Sequence, residues 1–264
     1  MNLENIDVYS KNLEPSRIRQ LDLHTSNQIA AGEVIERPSS ALKELVENSI
    51  DAGANSIDIV YANGGKSFLS VKDNGHGINK EDLSLALSRH ATSKINTIHD
   101  LVNINSLGFR GEALASIGAV AELTIKSKLT EAGEAFEIST SYGEVKEVKP
   151  SQYLEGTLIE IKNLFQSIPA RLKFLKTDRA EGISILEVVK KLSLSNPEIS
   201  FKLYEIKKKG NPREILRLTS STDHECLSLR IKEVLKNAFM ENSHQVDFKS
   251  ENIKITGYIS SPTF

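Results

Sequence analysis

The sequence predicts an α/β fold. It reads as a two-layer sandwich in which a mixed, mostly antiparallel sheet carries helices on one face, followed by the start of a second α/β domain. Three observations predict this. Helical apolar stripes with start and stop signals flank the main block; short β-like runs separated by turn residues fill its middle; and a linker-like run, Thr219-Ser220-Ser221-Thr222-Asp223, precedes one more helix and two more strands. At roughly 150 residues per domain, a chain of 264 residues allows one large domain or two smaller ones.

Residues 1–19 carry Pro15 and no apolar period, so they read as a flexible extension. From His24 the pattern is helical. Pro38 suits the first turn of a second helix over about 38–52, whose stripe Leu42, Leu45, Val46 and Ile50 ends at Gly53. Two β-like runs, 56–61 and 67–72, are joined by Asn63-Gly64-Gly65 as a hairpin. A sharp polar turn, Asp73-Asn74-Gly75-His76-Gly77, follows the second. Residues 80–90 read as helix, and 91–111 as a long segment of weak periodicity, a length typical of functional lids. A short helix at 112–119 leads to strands at 123–128, 135–140, 144–149 and 157–162, which make an antiparallel sheet. Pro169 opens a further helical stretch, and Asp178 is a candidate cap for one that runs to Ser195, where Asn196-Pro197 stops it. Strands near 199–206 and 213–218 complete the main domain, 20–222. The remainder, 223–264, holds a helix at about 224–239 and strands near 245–249 and 252–259. A block of about 40 residues is at the limit for an independent core, so it reads as the truncated beginning of a second domain.

Composition excludes several classes. The nine apolar types make up 39% of the chain, as in globular proteins, and no run approaches the ~18 apolar residues of a membrane span. The first twenty residues lack the apolar run of a signal peptide, so the expected address is cytoplasmic. A single cysteine, Cys226, excludes an internal disulfide and any zinc site needing two thiolates, and six scattered histidines make an all-protein metal cage improbable. The formal charge is −2, yet residues 1–150 hold 15 Lys+Arg against 21 Asp+Glu, net −6, and 151–264 hold 18 against 14, net +4. Such asymmetry marks either a basic partner surface or ordinary scatter.

Three constellations carry chemistry. On the second helix Glu44, Glu47, Asn48 and Asp51 fall at i, i+3, i+4 and i+7, opposite the apolar stripe. This is a solvated acidic face or a site wall. As a wall, a carboxylate acts as general base while the Asn48 amide oxygen ligates a hard cation such as Mg²⁺. Next, Asp73 at a strand end is placed to accept a hydrogen bond from the exocyclic amine of adenine, with Gly75 and Gly77 letting the backbone come close; alternatively Asp-Asn-Gly is only a turn. Third, Gly108-Phe109-Arg110-Gly111 opens a helix, a place suited to phosphate, and Ala91-Thr92-Ser93-Lys94 adds a cation to the same segment. The order of acidic helix, Asp-containing turn and glycine-rich lid is more specific than any one piece.

The run Asn27-Gln28-Ile29-Ala30-Ala31-Gly32-Glu33-Val34-Ile35-Glu36-Arg37-Pro38, continued by Lys43-Glu44-Leu45-Val46-Glu47-Asn48-Ser49, Asp51-Ala52-Gly53-Ala54, Asp73-Asn74-Gly75, Arg89-His90-Ala91-Thr92-Ser93-Lys94 and the segment 107–116, resembles the MutL family of DNA mismatch repair proteins. Gly156-Thr157-Leu158-Ile159-Glu160-Ile161 and Pro169-Ala170-Arg171-Leu172-Lys173-Phe174-Leu175 extend the resemblance, which covers about residues 17–264. The wider group is the Bergerat-type ATPase fold shared with gyrase B, the heat-shock chaperone and sensor histidine kinases. The resemblance implies that Glu44 is the general base that polarises water, with a water-mediated role toward the metal, and that Asn48 is the Mg²⁺ ligand. It implies that Asp73 reads adenine, with Thr157 assisting and Gly75 and Gly77 as flexible neighbours. Lys94, Gly108, Phe109, Arg110 and Gly111 match the lid over the phosphates; Asp51, Thr92 and Leu107 belong to the same nucleotide-binding set.

The implied function is slow ATP hydrolysis with Mg²⁺, in which lid ordering drives ATP-dependent homodimerisation and couples the mismatch recognition protein MutS to a downstream nuclease or helicase. The second domain is implied to be ribosomal protein S5-like. DNA candidates are Arg171, Lys173, Lys176 and Arg179, then 207–209 with Arg213 and Arg217. Three departures are read: Ser167-Ile168 replaces the family's Asn-Thr before Pro-Ala-Arg; the chain is expected to stop before the position of the second-domain lysine that reaches the γ-phosphate in related ATPases; and the C-terminal dimerisation domain of full-length relatives, sometimes with a nicking site, is not expected in it, so no endonuclease activity is assigned. The rival readings are another ATPase of the same fold and a non-hydrolysing scaffold that binds DNA or protein.

Overall fold

The computed structural model describes residues 18–95, 97–104, 106–130, 133–207, 210–220 and 226–262. The expected extension lies outside these except for residues 18 and 19, as do Lys208, Lys209 and most of the linker-like run.

Helix α1 (Leu23–Val34) starts at Asp22, whose carboxylate accepts from the Thr25 N–H at 2.8 Å. Helix α2 (Pro38–Asp51) has Pro38 in its first turn, where the missing N–H costs no helical bond, and buries Leu42, Leu45 and Val46 completely. Strands β1 (Ser56–Ala62) and β2 (Phe68–Asp73) form the expected hairpin around a 3₁₀ turn at Asn63–Gly65. Then come α3 (Lys80–Ala86), a 3₁₀ turn at Ile98–Val102, α4 (Ala113–Val120), β3 (Glu122–Lys128), β4 (Ala135–Ser141), β5 (Glu144–Val145), β6 (Lys149–Ser151) and β7 (Gly156–Lys162). The chain continues through α5 (Pro169–Phe174), α6 (Asp178–Ser195), β8 (Ser200–Ile206), β9 (Arg213–Leu218), α7 (Cys226–Glu241), β10 (Ser243–Lys249) and β11 (Lys254–Ser260).

Two local expectations are corrected. The single strand at 144–149 is two short strands: Thr140 faces Val145 but Glu137 faces Lys149, one residue more than an unbroken ladder allows, so a bulge splits it. The cap of α6 is Thr177 rather than Asp178, because Thr177 has the extended backbone and its hydroxyl accepts from the Ala180 N–H.

The main sheet runs β5-β4-β3-β7-β2-β1-β8-β9, with β6 also beside β4, and only the β1–β8 pair is parallel. Strand alternation puts one row across six strands: Ile138, Ile125, Ile159, Val71, Ile59 and Leu203, all buried. At about 1.5–3 kcal/mol per buried aliphatic side chain, this row is a large part of the core, and helices α2, α4 and α6 cover it. The opposite face carries Asp58, Lys72, Lys126 and Lys202, with Lys202 paired to Asp58 at 3.3 Å.

Helix α6 is tied to the start of α2 by a buried ion pair. The Glu181 carboxylate is fully buried, accepts from Arg37 Nη2 at 2.9 Å and Nε at 3.2 Å, and also accepts from the Lys176 N–H. Glu181→Gln is expected to lower unfolding stability by about 2 kcal/mol in urea titrations, since it leaves the largely buried Arg37 guanidinium without its counter-charge. Helix α7 is anchored through Arg230, 1% exposed, which donates to the carbonyls of Ser193, Pro197, Ile199 and Thr219, while Val234 joins the main core. Strands β10 and β11 make a separate two-stranded sheet. Among the described residues, no helix is long and apolar enough to cross a membrane.

Candidate active site

At the end of the β2 row, two residues beyond the apolar one and on the same buried face, the sheet turns polar. Ser127, Thr157 and Asp73 are adjacent across β3, β7 and β2, and each is no more than 6% exposed. The Asp73 Oδ1 accepts from the Gly75 N–H at 2.9 Å and the Thr157 N–H at 3.3 Å, and Oδ2 accepts from Ser49 Oγ at 2.8 Å. Burial raises the Asp73 carboxyl above its ordinary range, and these three donors pull it back. Gly77, with φ 80°, occupies a left-handed position where a Cβ would run into the Lys128 carbonyl, so the turn after Asp73 closes tightly against β3.

The acidic stripe on α2 is not a solvated face. Glu47 is buried and paired to Lys43 at 2.8 Å, and the Asp51 side chain is 10% exposed because the segment after α3 lies over it. Lys94 Nζ donates to Asn48 Oδ1 at 2.8 Å and to Asp51 Oδ2 at 2.5 Å. Asp51 also accepts from the Leu107 N–H at 2.9 Å and the Gly108 N–H at 3.1 Å. Desolvation works against the charged Asp51 carboxylate, but these bonds prevail and hold it below its usual range. A Cβ on Gly108 would lie 3.4 Å from Lys94 Nζ and 3.6 Å from Asn48 Oδ1, in ordinary contact with both, so the backbone here lies directly over the helix. Thr92 Oγ1 accepts from the Lys94 N–H, fixing the turn that aims the lysine. Gly111, with φ 62°, makes the last turn before α4.

Glu44, one turn before Asn48, is partly exposed. Desolvation raises its carboxyl above the ordinary glutamate range; the Glu47 charge adds to this, while Lys43, Lys94 and Arg110 oppose it. Arg110 is exposed and its guanidinium lies 5.7 Å from the Phe109 ring centre. The predicted residues of α2, the Asp73 turn, Thr157, Thr92, Lys94 and 107–111 therefore fall at one end of the sheet.

Two participants are absent from the sequence reading. Ser49 and Ser127 complete the Asp73–Thr157 network, and their signal was a polar residue at a core position: Ser127 follows Leu123 and Ile125 on the buried face of β3. The predicted DNA residues lie elsewhere. Lys173, Lys176 and Arg179 are exposed, but Arg171 turns inward, donating to the Gly32 carbonyl at 2.8 Å and stacking on Phe165. Lys207 and Arg213 are exposed, and Arg217 pairs with Glu214. Among the described residues, no group of three or more His, Cys, Asp or Glu side chains is placed to hold a metal.

Residues 35–171 match the family described as histidine kinase-, DNA gyrase B- and HSP90-like ATPase. The chain is 48% identical over 247 residues to the DNA mismatch repair protein MutL of Allorhizobium ampelinum, and 45% identical over 249 residues to MutL of Brucella abortus. Each match covers 94% of this chain and 39% of the relative, so the chain spans about two fifths of the length of the curated relatives it matches. Among solved structures, the Aquifex aeolicus MutL ATPase domain complexed with ADP aligns with a TM-score of 0.63 at 31% identity, covering 81% of this chain and 73% of that one. The N-terminal domain of a DNA repair protein aligns with a TM-score of 0.76 at 29% identity, covering 93% and 75%. The chain belongs to the histidine kinase-, DNA gyrase B- and HSP90-like ATPase family, and within that family it resembles the ATPase region of the MutL mismatch repair proteins.

Proposed function

We propose that this chain binds ATP with Mg²⁺ at the α2 end of the sheet and hydrolyses it slowly to ADP and phosphate. The observation that carries the reading is the convergence, at one sheet end, of a buried acceptor pair on Asp73 and Thr157, a carboxylate on Glu44, and a lysine with two lid N–H groups gathered on Asn48 and Asp51. In this reading the Asp73 carboxylate takes the adenine amine, and Glu44 holds the attacking water and accepts its proton. Lys94 and the N–H groups of 107–111 turn toward the phosphates at the positive end of α4. The donor set around Lys94 fits a hard cation, because an amide oxygen and a carboxylate oxygen already converge on one positive charge. Mg²⁺ would be held through Asn48, with Glu44 reaching it through water, and when bound it supplies charge neutralisation of the triphosphate.

The larger role follows from the same site. ATP would reorganise the lid, whose Ile98, Val102 and Leu107 are exposed, and bring two chains together. Such a nucleotide-dependent dimer would connect a MutS-type recognition protein with a downstream nuclease or helicase in the cytoplasm. DNA contact in this proposal rests on the exposed Lys173, Lys176 and Arg179, with a strong fall in binding as salt is added. The division of the chain at residue 222 belongs to the same reading.

Equilibrium titration with a nonhydrolysable ATP analogue tests the core of it. Binding is expected, and it should be tighter with Mg²⁺ than with a chelator. No binding under either condition would leave the scaffold reading in its place.

A further inference from the structure

Ser127 lies at the meeting point of three hydrogen bonds, all in a 1% exposed position. Its Oγ accepts from the Ile78 N–H at 2.8 Å, faces the Gly156 carbonyl at 3.1 Å and faces Thr157 Oγ1 at 2.9 Å. A serine hydroxyl has one proton and two lone pairs. The Gly156 oxygen has no proton to offer, so the Ser127 proton goes to it; any other orientation sets two buried oxygens lone pair against lone pair. One Ser127 lone pair is taken by Ile78. The other is left for Thr157, whose own proton must then point at Ser127.

The consequence reaches the neighbouring strand. With its proton committed, Thr157 Oγ1 presents only lone pairs to the site. Asp73 is wired in the same sense, since Ser49, Gly75 and the Thr157 N–H all donate to it. At Asp73 and Thr157 the pocket floor thus presents acceptors. We infer that Ser127 is a specificity-determining positioning residue: by holding the Thr157 hydroxyl as a pure acceptor, it makes the site select a six-amino purine and reject a six-oxo purine, whose oxygen would meet lone pairs only. This rests on the nucleotide site proposed above, and it assigns the selectivity to a side chain that does not itself touch the base.

Titration of the whole chain with nonhydrolysable adenosine and guanosine triphosphate analogues, with Mg²⁺ present, tests it. In Ser127→Ala the Thr157 hydroxyl is freed to donate, and the ratio of guanosine to adenosine dissociation constants should fall by about tenfold, the scale of one hydrogen bond's polarity. Ser127→Cys keeps the side-chain shape with a poor acceptor and should shift the ratio in the same direction even if the alanine variant is unstable. Thr157→Val removes the hydroxyl and should weaken adenosine binding without admitting guanosine. A ratio unchanged in both Ser127 variants, with the unmutated protein binding adenosine tightly, overturns the inference alone. Failure of the unmutated protein to bind the adenosine analogue overturns the site reading and this inference with it.

Discussion

Glu44→Ala is expected to lower ATP turnover by about 10²–10⁴-fold while leaving affinity for the nonhydrolysable analogue nearly unchanged. The separation follows from the geometry. Glu44 is partly exposed and pairs loosely with Lys43 of its own helix at 3.9 Å, so removing it leaves Asp73, Thr157 and Asn48 in place. What is lost is the proton acceptor. Steady-state turnover and analogue titration on the same preparation check it; equal loss in both would show that Glu44 builds the site rather than acting on water. The pH profile adds a second reading. Desolvation holds the Glu44 carboxyl above the usual glutamate value of about 4.3, and only the ionised form takes a proton from water. Turnover should therefore be present above the raised value and fall as pH drops through it, placing the acid limb above that of an ordinary glutamate. Arg110→Ala removes a cation that opposes the shift and should move this limb to still higher pH.

Asp73→Asn is expected to weaken binding of the ATP analogue at least ~100-fold, roughly the value of one hydrogen bond to a buried charged acceptor. Every group now aimed at this carboxylate is a donor: the Ser49 hydroxyl and the N–H groups of Gly75 and Thr157. An asparagine amide can keep its oxygen for the Gly75 and Thr157 N–H groups and turn its NH₂ to Ser49, whose hydroxyl then donates to the Leu45 carbonyl, but the adenine amine now meets a donor where it had a carboxylate oxygen. Because these partners are buried, water cannot repair the mismatch. Calorimetric titration beside a thermal melt checks the result. Unchanged affinity would remove Asp73 from the nucleotide site, and loss of the folding transition would show that the network is structural first.

The local elements were legible because their causes are local. The Leu42, Leu45, Val46 stripe and Pro38 marked α2, Asn63-Gly64-Gly65 marked the hairpin, and the weak period of 91–111 marked a segment whose described residues hold little regular structure beyond the 3₁₀ turn Ile98–Val102. The split between β5 and β6 was not legible, since a bulge is defined by the partner strand and not by the residues that form it. The inward turn of Arg171 escaped for a similar reason: nothing next to it in sequence predicts that the Gly32 carbonyl at the end of α1 will be its acceptor.

The chemistry divides along the same line. Sequence alone determined that an acidic helix, an aspartate at a strand end and a glycine-rich lid occur in an order fit for nucleotide binding, because residue types and short spacings are one-dimensional facts. Only the tertiary structure decided that Lys94 covers Asn48 and Asp51, that Glu47 is turned into a pair with Lys43, and that Ser127 sits among the Ile78 N–H, the Gly156 carbonyl and the Thr157 hydroxyl. Those outcomes depend on sheet register and on contacts between residues far apart in the chain, Asp73 and Thr157 being 84 positions distant. The direction of a buried hydroxyl's single proton is set by every oxygen and nitrogen around it, which no stretch of sequence contains.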